Sequence, residues 1–288
     1  MTAKAAGGTW TVLDVIRWTA ERFGERGLAS PRLDAELLVA HVLALPRVQL
    51  YVQFDRPLGA DELAAVRGLI KRRQAGESVA YLVGKKEFWG HELAVDARVL
   101  VPRPDTETLV EEARARIAGV AEPRIADVGT GSGAIAVTLA KLFPAAAVVA
   151  SDVSADALTV ARGNAERLGV TVTFVEGDLD APLAAHAPFS LIAANLPYIA
   201  SADMTSLPLD VRTEPALALD GGADGLALVR RLIAAAPALL APRGALALEI
   251  GVDQAAATRA LLEAAGFTDL QTRRDLAAIE RVVSGVKG

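Results

Sequence analysis

The chain has 288 residues, 52% hydrophobic and 23% charged, with a formal net charge of −5; this is enough to bury a packed core and excludes wholesale disorder. It holds no cysteine and three scattered histidines, His41, His91 and His186, which excludes disulfides, thiolate metal sites and cysteine nucleophiles and leaves no imidazole spacing for a metal. The length fits one large domain or a catalytic domain beside a smaller one, and the acidic balance argues against a broad nucleic-acid-binding face.

The opening MTAKAAGGTW lacks an apolar segment of signal-peptide length, and no run is long enough to cross a bilayer. The expectation is a cytoplasmic protein with no membrane partner. Residues 9 to 80 read as helices. TVLDVIRWTAERFG brings Val12, Val15, Ile16, Thr19 and Phe23 near one face. SPRLDAELLVAHVLAL starts with Ser30 as the expected N-cap and Pro31 at the first helical position. DELAAVRGLIKRR repeats the pattern with Leu63, Val66 and Ile70. A helical domain over residues 1–83 follows. The basic runs at 71–73 and 85–86 are either solvated surface or a docking face for an acidic partner.

Texture changes over residues 84–107. EFWG and ELAV suggest a hairpin or short extended connection, and the two prolines of VPRPDTE resist helix continuation. This reads as a linker. Residues 108–288 then alternate strand and helix: RIADVG, AAVVASD, TVTFVEGD, FSLIAAN and GALALEIG as strands, with helical segments between most of them. IAAAPALLA contains Pro237 and reads as part of a buried helix. The fold class is α/β, a mostly parallel Rossmann-like sheet covered on both faces. FTDLQTRRD and ERVVSGV lie so close in sequence that they are expected to pair antiparallel at one edge.

IADVGTGSGAIA is a strand, a glycine-rich turn and a helix start, with Gly129, Thr130, Gly131, Ser132 and Gly133 in the turn. Such a turn brings backbone N–H groups close to a ligand, although a tight strand–helix connection with no ligand has the same look. Asp152 ends the next strand, where a carboxylate can bind ribose hydroxyls, and Asp178 with Leu179 follows the third, where they could approach an adenine. These features leave NAD and S-adenosylmethionine both open. The fourth strand ends in Asn195, Leu196, Pro197 and Tyr198, which offers nothing for hydride transfer.

That NLPY segment suits another task. A primary amide or an exocyclic base amine is a poor nucleophile carrying two N–H donors. Two fixed acceptors, the Asn195 side-chain oxygen and the Leu196 carbonyl, can hold both hydrogens and aim the nitrogen at an electrophile. Pro197 stiffens the turn and Tyr198 offers an aromatic face. The bland alternative is a strand-ending turn with a capping Asn.

Together these segments resemble the peptide chain release factor (glutamine-N5) methyltransferases, a family of S-adenosylmethionine-dependent class I methyltransferases. SPRLDAELLVAHVL resembles its N-terminal bundle, and YLVGKKEFWGHELAV with VLVPRPDTE its linker. DVGTGSGAIA, ASDVSADAL, NLPYI, VRTEPALAL, LEIG and RDLAAIERVV follow in family order. The resemblance implies methylation of the glutamine in the GGQ motif of class 1 release factors, by a monomer needing no metal and binding no nucleic acid directly. It places Gly129 to Gly133, Asp152, Asp178, Leu179 and Asn195 at the cofactor, and Asn195 to Tyr198 at the substrate. Arg103 and Glu107 would lie near the cofactor mouth or form a salt-bridged hinge. Phe88 and Trp89 read as packing residues, and Glu214 and Glu249 carry modest weight. One departure stands out: the family usually has NPPY, and Leu196 replaces the first proline. NLPY is also typical of rRNA adenine dimethyltransferases, so an adenine-N6 methyltransferase is the alternative. A dehydrogenase and a catalytically silent binding module stand further back.

Overall fold

A computed structural model describes residues 9–288; the first eight residues of the expected helical domain, and most of the MTAKAAGGTW opening, lie outside the described residues. The chain divides into two compact units, the residues up to Gly84 with Leu209–Thr213, and Lys85–Pro208 with Glu214–Gly288. Nearly all of the stretch read as a linker, from Lys85 on, groups with the second unit.

The first unit is helical: α1 (Val12–Glu25), α2 (Pro31–Leu43), α3 (Arg47–Val52), α4 (Ala60–Gln74) and α5 (Val79–Val83). Thr11 opens α1 with a capping box: its hydroxyl accepts from the Asp14 N–H at 3.3 Å, and the Asp14 carboxylate accepts from the Thr11 N–H at 3.1 Å. Such a cap contributes about 1 kcal/mol. Val12, Val15, Ile16, Thr19 and Phe23 are all buried, as their spacing predicts. Ser30 does occupy the N-cap position of α2, but its side chain makes no capping bond there.

Two of the three residues in the basic run at 71–73 have partners within the chain. Arg73 is buried, with its Nε 2.8 Å from Asp34 and its Nη2 3.2 Å from Asp210. Arg72 pairs with Glu77, and Lys85, in the second unit, pairs with Glu92 at 2.6 Å. Burial raises the Asp34 pKa although Arg73 opposes the shift. The Arg73 bridge also ties the short Leu209–Thr213 segment to its own unit.

The second unit opens with the hairpin β1 (Lys85–Phe88) and β2 (His91–Ala94), then α6 (Glu107–Arg116). A seven-stranded sheet follows, built from β3 (Arg124–Val128), β4 (Ala147–Asp152), β5 (Thr173–Glu176), β6 (Phe189–Ala194), β7 (Leu240–Glu249), β8 (Phe267–Arg274) and β9 (Glu280–Lys287). The intervening helices are α7 (Ala134–Leu142), α8 (Ala155–Leu168), α9 (Ala227–Leu239) and α10 (Ala255–Ala264). Strand order is β5-β4-β3-β6-β7-β9-β8. The first five strands are mutually parallel, and apolar clusters cover the sheet on both faces, one around Val128, Ile192 and Leu246, the other around Ile125, Leu191 and Ala245.

The last two strands pair antiparallel as their short link predicts, but β9 lies between β7 and the edge strand β8. A short hairpin can fold back into that gap because β9 is antiparallel to both neighbours. Pro237 sits inside α9 without ending it. Among the described residues, no helix is long and apolar enough to cross a membrane.

Candidate active site

The parallel register builds the site as a row. Val128 is level with Ser151 on one side and Ala194 on the other, and Ala194 is level with Leu248. One residue further on, Asp152, Gly129, Asn195 and Glu249 stand side by side at the carboxyl ends of four adjacent strands. Ligands bind at that edge in open α/β sheets, where strand order reverses around the first strand.

A cavity of about 400 Å³ opens there, within the range of small-molecule sites. Gly129, Gly131, Asp152, Asp178, Leu179, Asn195, Leu196 and Pro197 line it, with Val99, Leu100, Val153, Leu217 and Leu228 as apolar wall. Thr130, Ser132, Gly133 and Tyr198 are not part of the lining.

The residues that stay out of the cavity shape the turn. The Thr130 hydroxyl donates to Asp127 at 2.6 Å, and the Ala136 N–H donates to the same carboxylate oxygen at 3.1 Å. Asp127 is fully buried, and that burial pushes its pKa up to about 7 despite both donors. The Ser132 carbonyl accepts from Asn164 Nδ2 at 2.9 Å, while Asn164 also exchanges two hydrogen bonds with the Ala94 backbone. A fully buried amide thus clamps the turn to β2. Gly133 caps α7 at φ +82, and a Cβ there would stand 3.1 Å from the Ala161 Cβ, so glycine lets α7 close against α8. Of the three anchors, Asp127, Asn164 and Thr106 below, Asp127 alone carries a local signal, as the acid two residues before the turn.

Asp152 serves turn and cavity together. Its Oδ2 accepts from the Gly131 N–H at 2.8 Å and its Oδ1 from the Ser154 N–H at 2.9 Å. An ionised carboxylate has about four acceptor positions, so capacity is left for ligand hydroxyls. Asp178 is exposed at the rim and pairs with Arg231 at 2.7 Å. Leu179 is buried at φ +49.

Asn195 is half-buried and donates from Nδ2 to the Thr106 hydroxyl oxygen at 3.2 Å. The Leu196 side chain is 3% exposed and packs beneath Gly129. Tyr198 sits just beyond the lining: its carbonyl accepts from Gln254 Nε2 at 3.0 Å and its ring edge packs at Gly251. Burial, with Glu249 nearby, pushes its pKa up to about 12, so it stays a neutral phenol. Arg103 pairs with Glu214, whose other oxygen accepts from the Val101 N–H at 3.1 Å. Glu107 accepts from the Trp89 N–H at 2.8 Å, and Phe88 is a core residue. None of these lines the cavity.

Residues 14–84 match the family described as PrmC N-terminal domain, and residues 125–208 the family described as methyltransferase domain. The chain is 45% identical over 277 residues to a protein of Geobacter sulfurreducens named release factor glutamine methyltransferase, covering 96% of each. It is 49% identical over 255 residues to one of the same name from Bordetella pertussis, covering 88% of this chain and 94% of that one. Among solved structures, a methyltransferase from Pyrococcus furiosus shares the fold at TM-score 0.54 and 19% identity, over 76% of this chain and 99% of the other. Identity at that level across nearly the whole length, with the glycine-rich turn and NLPY on adjacent strands, places this chain in the release factor glutamine methyltransferase family.

Proposed function

We propose that the chain transfers a methyl group from S-adenosylmethionine to the side-chain amide nitrogen of the glutamine in the GGQ motif of class 1 peptide chain release factors, as a cytoplasmic monomer without a metal. The observation that carries this reading is the row at the sheet edge: Asn195 stands directly beside Gly129, on the cavity that both line, in a chain whose relatives are named for that reaction.

The cavity fits the cofactor. Its apolar wall suits a flat purine, and Asp152 keeps acceptor capacity for vicinal hydroxyls. When bound, S-adenosylmethionine supplies an electrophilic methyl on a sulfonium. Asn195 Oδ1 and the Leu196 carbonyl accept the two N–H donors of the substrate amide and turn its nitrogen toward that methyl. Among the described residues no donor occupies the Leu196 carbonyl. As the nitrogen takes the methyl it gives up one of its two protons to solvent, leaving the cofactor as the neutral thioether S-adenosylhomocysteine; the gain comes from positioning and fixed dipoles rather than from a strong base. No observation favours the adenine alternative.

Leu196→Pro tests the backbone-acceptor argument. The carbonyl survives, while lost burial and repacking around Gly129 cost about 1–2 kcal/mol of stability. Methyl transfer by this variant should stay within about fivefold of wild type, since a factor of five corresponds to about 1 kcal/mol of barrier; loss as deep as that of Asn195→Ala would overturn the argument.

The function itself is tested by incubating the enzyme and labelled S-adenosylmethionine with a release factor, with the same factor carrying Gln→Ala in GGQ, and with RNA or DNA. Label should enter the first alone. Label in the Gln→Ala factor refutes the glutamine reading, and N6-methyladenine in nucleic acid supports the alternative. Calorimetry with S-adenosylmethionine against NAD separates the dehydrogenase reading.

A further inference from the structure

The side chain behind Asn195 is a buried carboxylate. Glu249 is 2% exposed, and its Oε2 has no hydrogen-bond partner. It ends β7 level with Asn195, because Ala194 pairs with Leu248 one step earlier. Thr106 is 4% exposed, at the turn that leads into α6, and its hydroxyl oxygen accepts from Asn195 Nδ2 at 3.2 Å. Thr106 and Asn195 also lie close enough to Glu249 for both to favour its ionised form.

A threonine hydroxyl has one proton. An ionised carboxylate only accepts, so beside Glu249 the Thr106 proton points at the carboxylate, and the Thr106 oxygen is left to accept from an N–H. The oxygen and nitrogen ends of an amide are told apart by such partners. In this arrangement Asn195 keeps its NH₂ inward and its Oδ1 free to face outward. With the chain reversed, Asn195 would present two N–H donors to a substrate that itself brings two, and the contact would be repulsive.

We propose that Glu249 and Thr106 are positioning residues for methyl transfer, acting as a hydrogen-bond chain that fixes the Asn195 amide with its oxygen toward the substrate nitrogen. The proposal rests on the release factor glutamine reading of this site. It gives a use to a buried charge that is otherwise costly to keep and that contributes nothing to the cavity wall.

Two other charged groups act on Glu249, Asp105 from the turn before α6 and Arg281 from β9, and the neutral Tyr198 phenol lies near it in the segment after β6. Asp105 works against ionisation and Arg281 favours it, while burial is the largest influence and raises the Glu249 pKa to about 7. The orienting form is the carboxylate. The proton taken up as pH falls through that value removes the fixed acceptor, so kcat should rise with pH across it.

The test uses the full chain, a release factor and S-adenosylmethionine, with kcat, KM and cofactor binding measured for Thr106→Val, Thr106→Ser and Glu249→Gln. Thr106→Val should lower kcat by about tenfold to a hundredfold, the loss expected from a misaimed reacting group. Its KM and cofactor Kd should stay within about threefold, and Thr106→Ser should restore most of the loss. Glu249→Gln should lower kcat and flatten its rise near neutral pH. A folded Thr106→Val enzyme with wild-type kcat overturns the proposal, as does a Thr106→Ser enzyme as poor as Thr106→Val. If the wild-type enzyme methylates no release factor, the function reading fails instead, and the wild-type lane shows which has happened.

Discussion

Asn195→Ala should abolish useful turnover while leaving a folded, cofactor-binding protein. The side chain supplies one of two acceptors for the substrate amide, and removing one preorganised polar contact to the reacting group costs about a hundredfold to a thousandfold in kcat. The site is half-buried, and the Asn195 bond to Thr106 at 3.2 Å is a modest one, so stability should change by only about 1 kcal/mol. Cofactor affinity, measured by calorimetry, should fall by less than about tenfold, since a single neutral hydrogen bond is worth about 0.5–1.5 kcal/mol. A variant retaining more than a tenth of wild-type kcat would remove Asn195 from the chemistry.

Gly225→Ala should be the most damaging glycine substitution in the segment that supports NLPY. Gly225 is at φ +73, and a Cβ there would overlap the Tyr198 carbonyl oxygen and crowd Gln254 Nε2 at 2.7 Å. Gln254 is already committed, donating to Tyr198 and accepting from the Gly251 N–H at 2.8 Å. Neighbouring Gly221 is similarly tight, its Cβ position 2.5 Å from the Pro197 carbonyl oxygen. The left-handed backbone costs about 1–2 kcal/mol and the overlap about 1–3 kcal/mol. Together that is about 3 kcal/mol, a fall of roughly 6–12 °C in melting temperature for a domain of this size. Activity should drop further than stability explains, because the clash displaces the Tyr198 backbone directly, at the end of NLPY. Gly163→Ala is the contrast: it lies in α8 with nothing within 4 Å of its Cβ position, and should raise stability slightly, as alanine favours helix by up to about 1 kcal/mol. Equal melting temperatures for Gly225→Ala and wild type would show that the loop is not held this way.

The two substitutions mark where sequence reading works and where it stops. Gly129, Asp152 and Asn195 are legible because each ends an apolar strand, and strands of a parallel sheet deliver their ends to one edge. Asn195 announces itself as a polar residue in an apolar context, locked to a proline. Glu249 ends its strand in the same way, yet a lone acid after an apolar run is usually a solvated turn. Its partnership with Thr106 and Asn195 joins three segments far apart in the chain, and no local pattern encodes it. The close approach of Gly225 to the Tyr198 carbonyl likewise appears only in three dimensions.

Elsewhere the failures have equally physical causes. Arg73 sits in what reads as a basic surface run, but its partners Asp34 and Asp210 come from distant positions and draw it inward. The placement of β9 inside β8 depends on which edge the final hairpin folds over, which alternation alone does not specify.

The central claim is that Asn195 and Leu196 hold a glutamine side-chain amide for methyl transfer. Tandem mass spectrometry of a release factor, after incubation with the enzyme and S-adenosylmethionine, tests it most directly. The account predicts one added methyl, on the side chain of the GGQ glutamine, formed by the wild-type enzyme and at least about a hundredfold more slowly by Asn195→Ala. A methyl on any other residue, or one that Asn195→Ala adds at more than about a tenth of the wild-type rate, would contradict it.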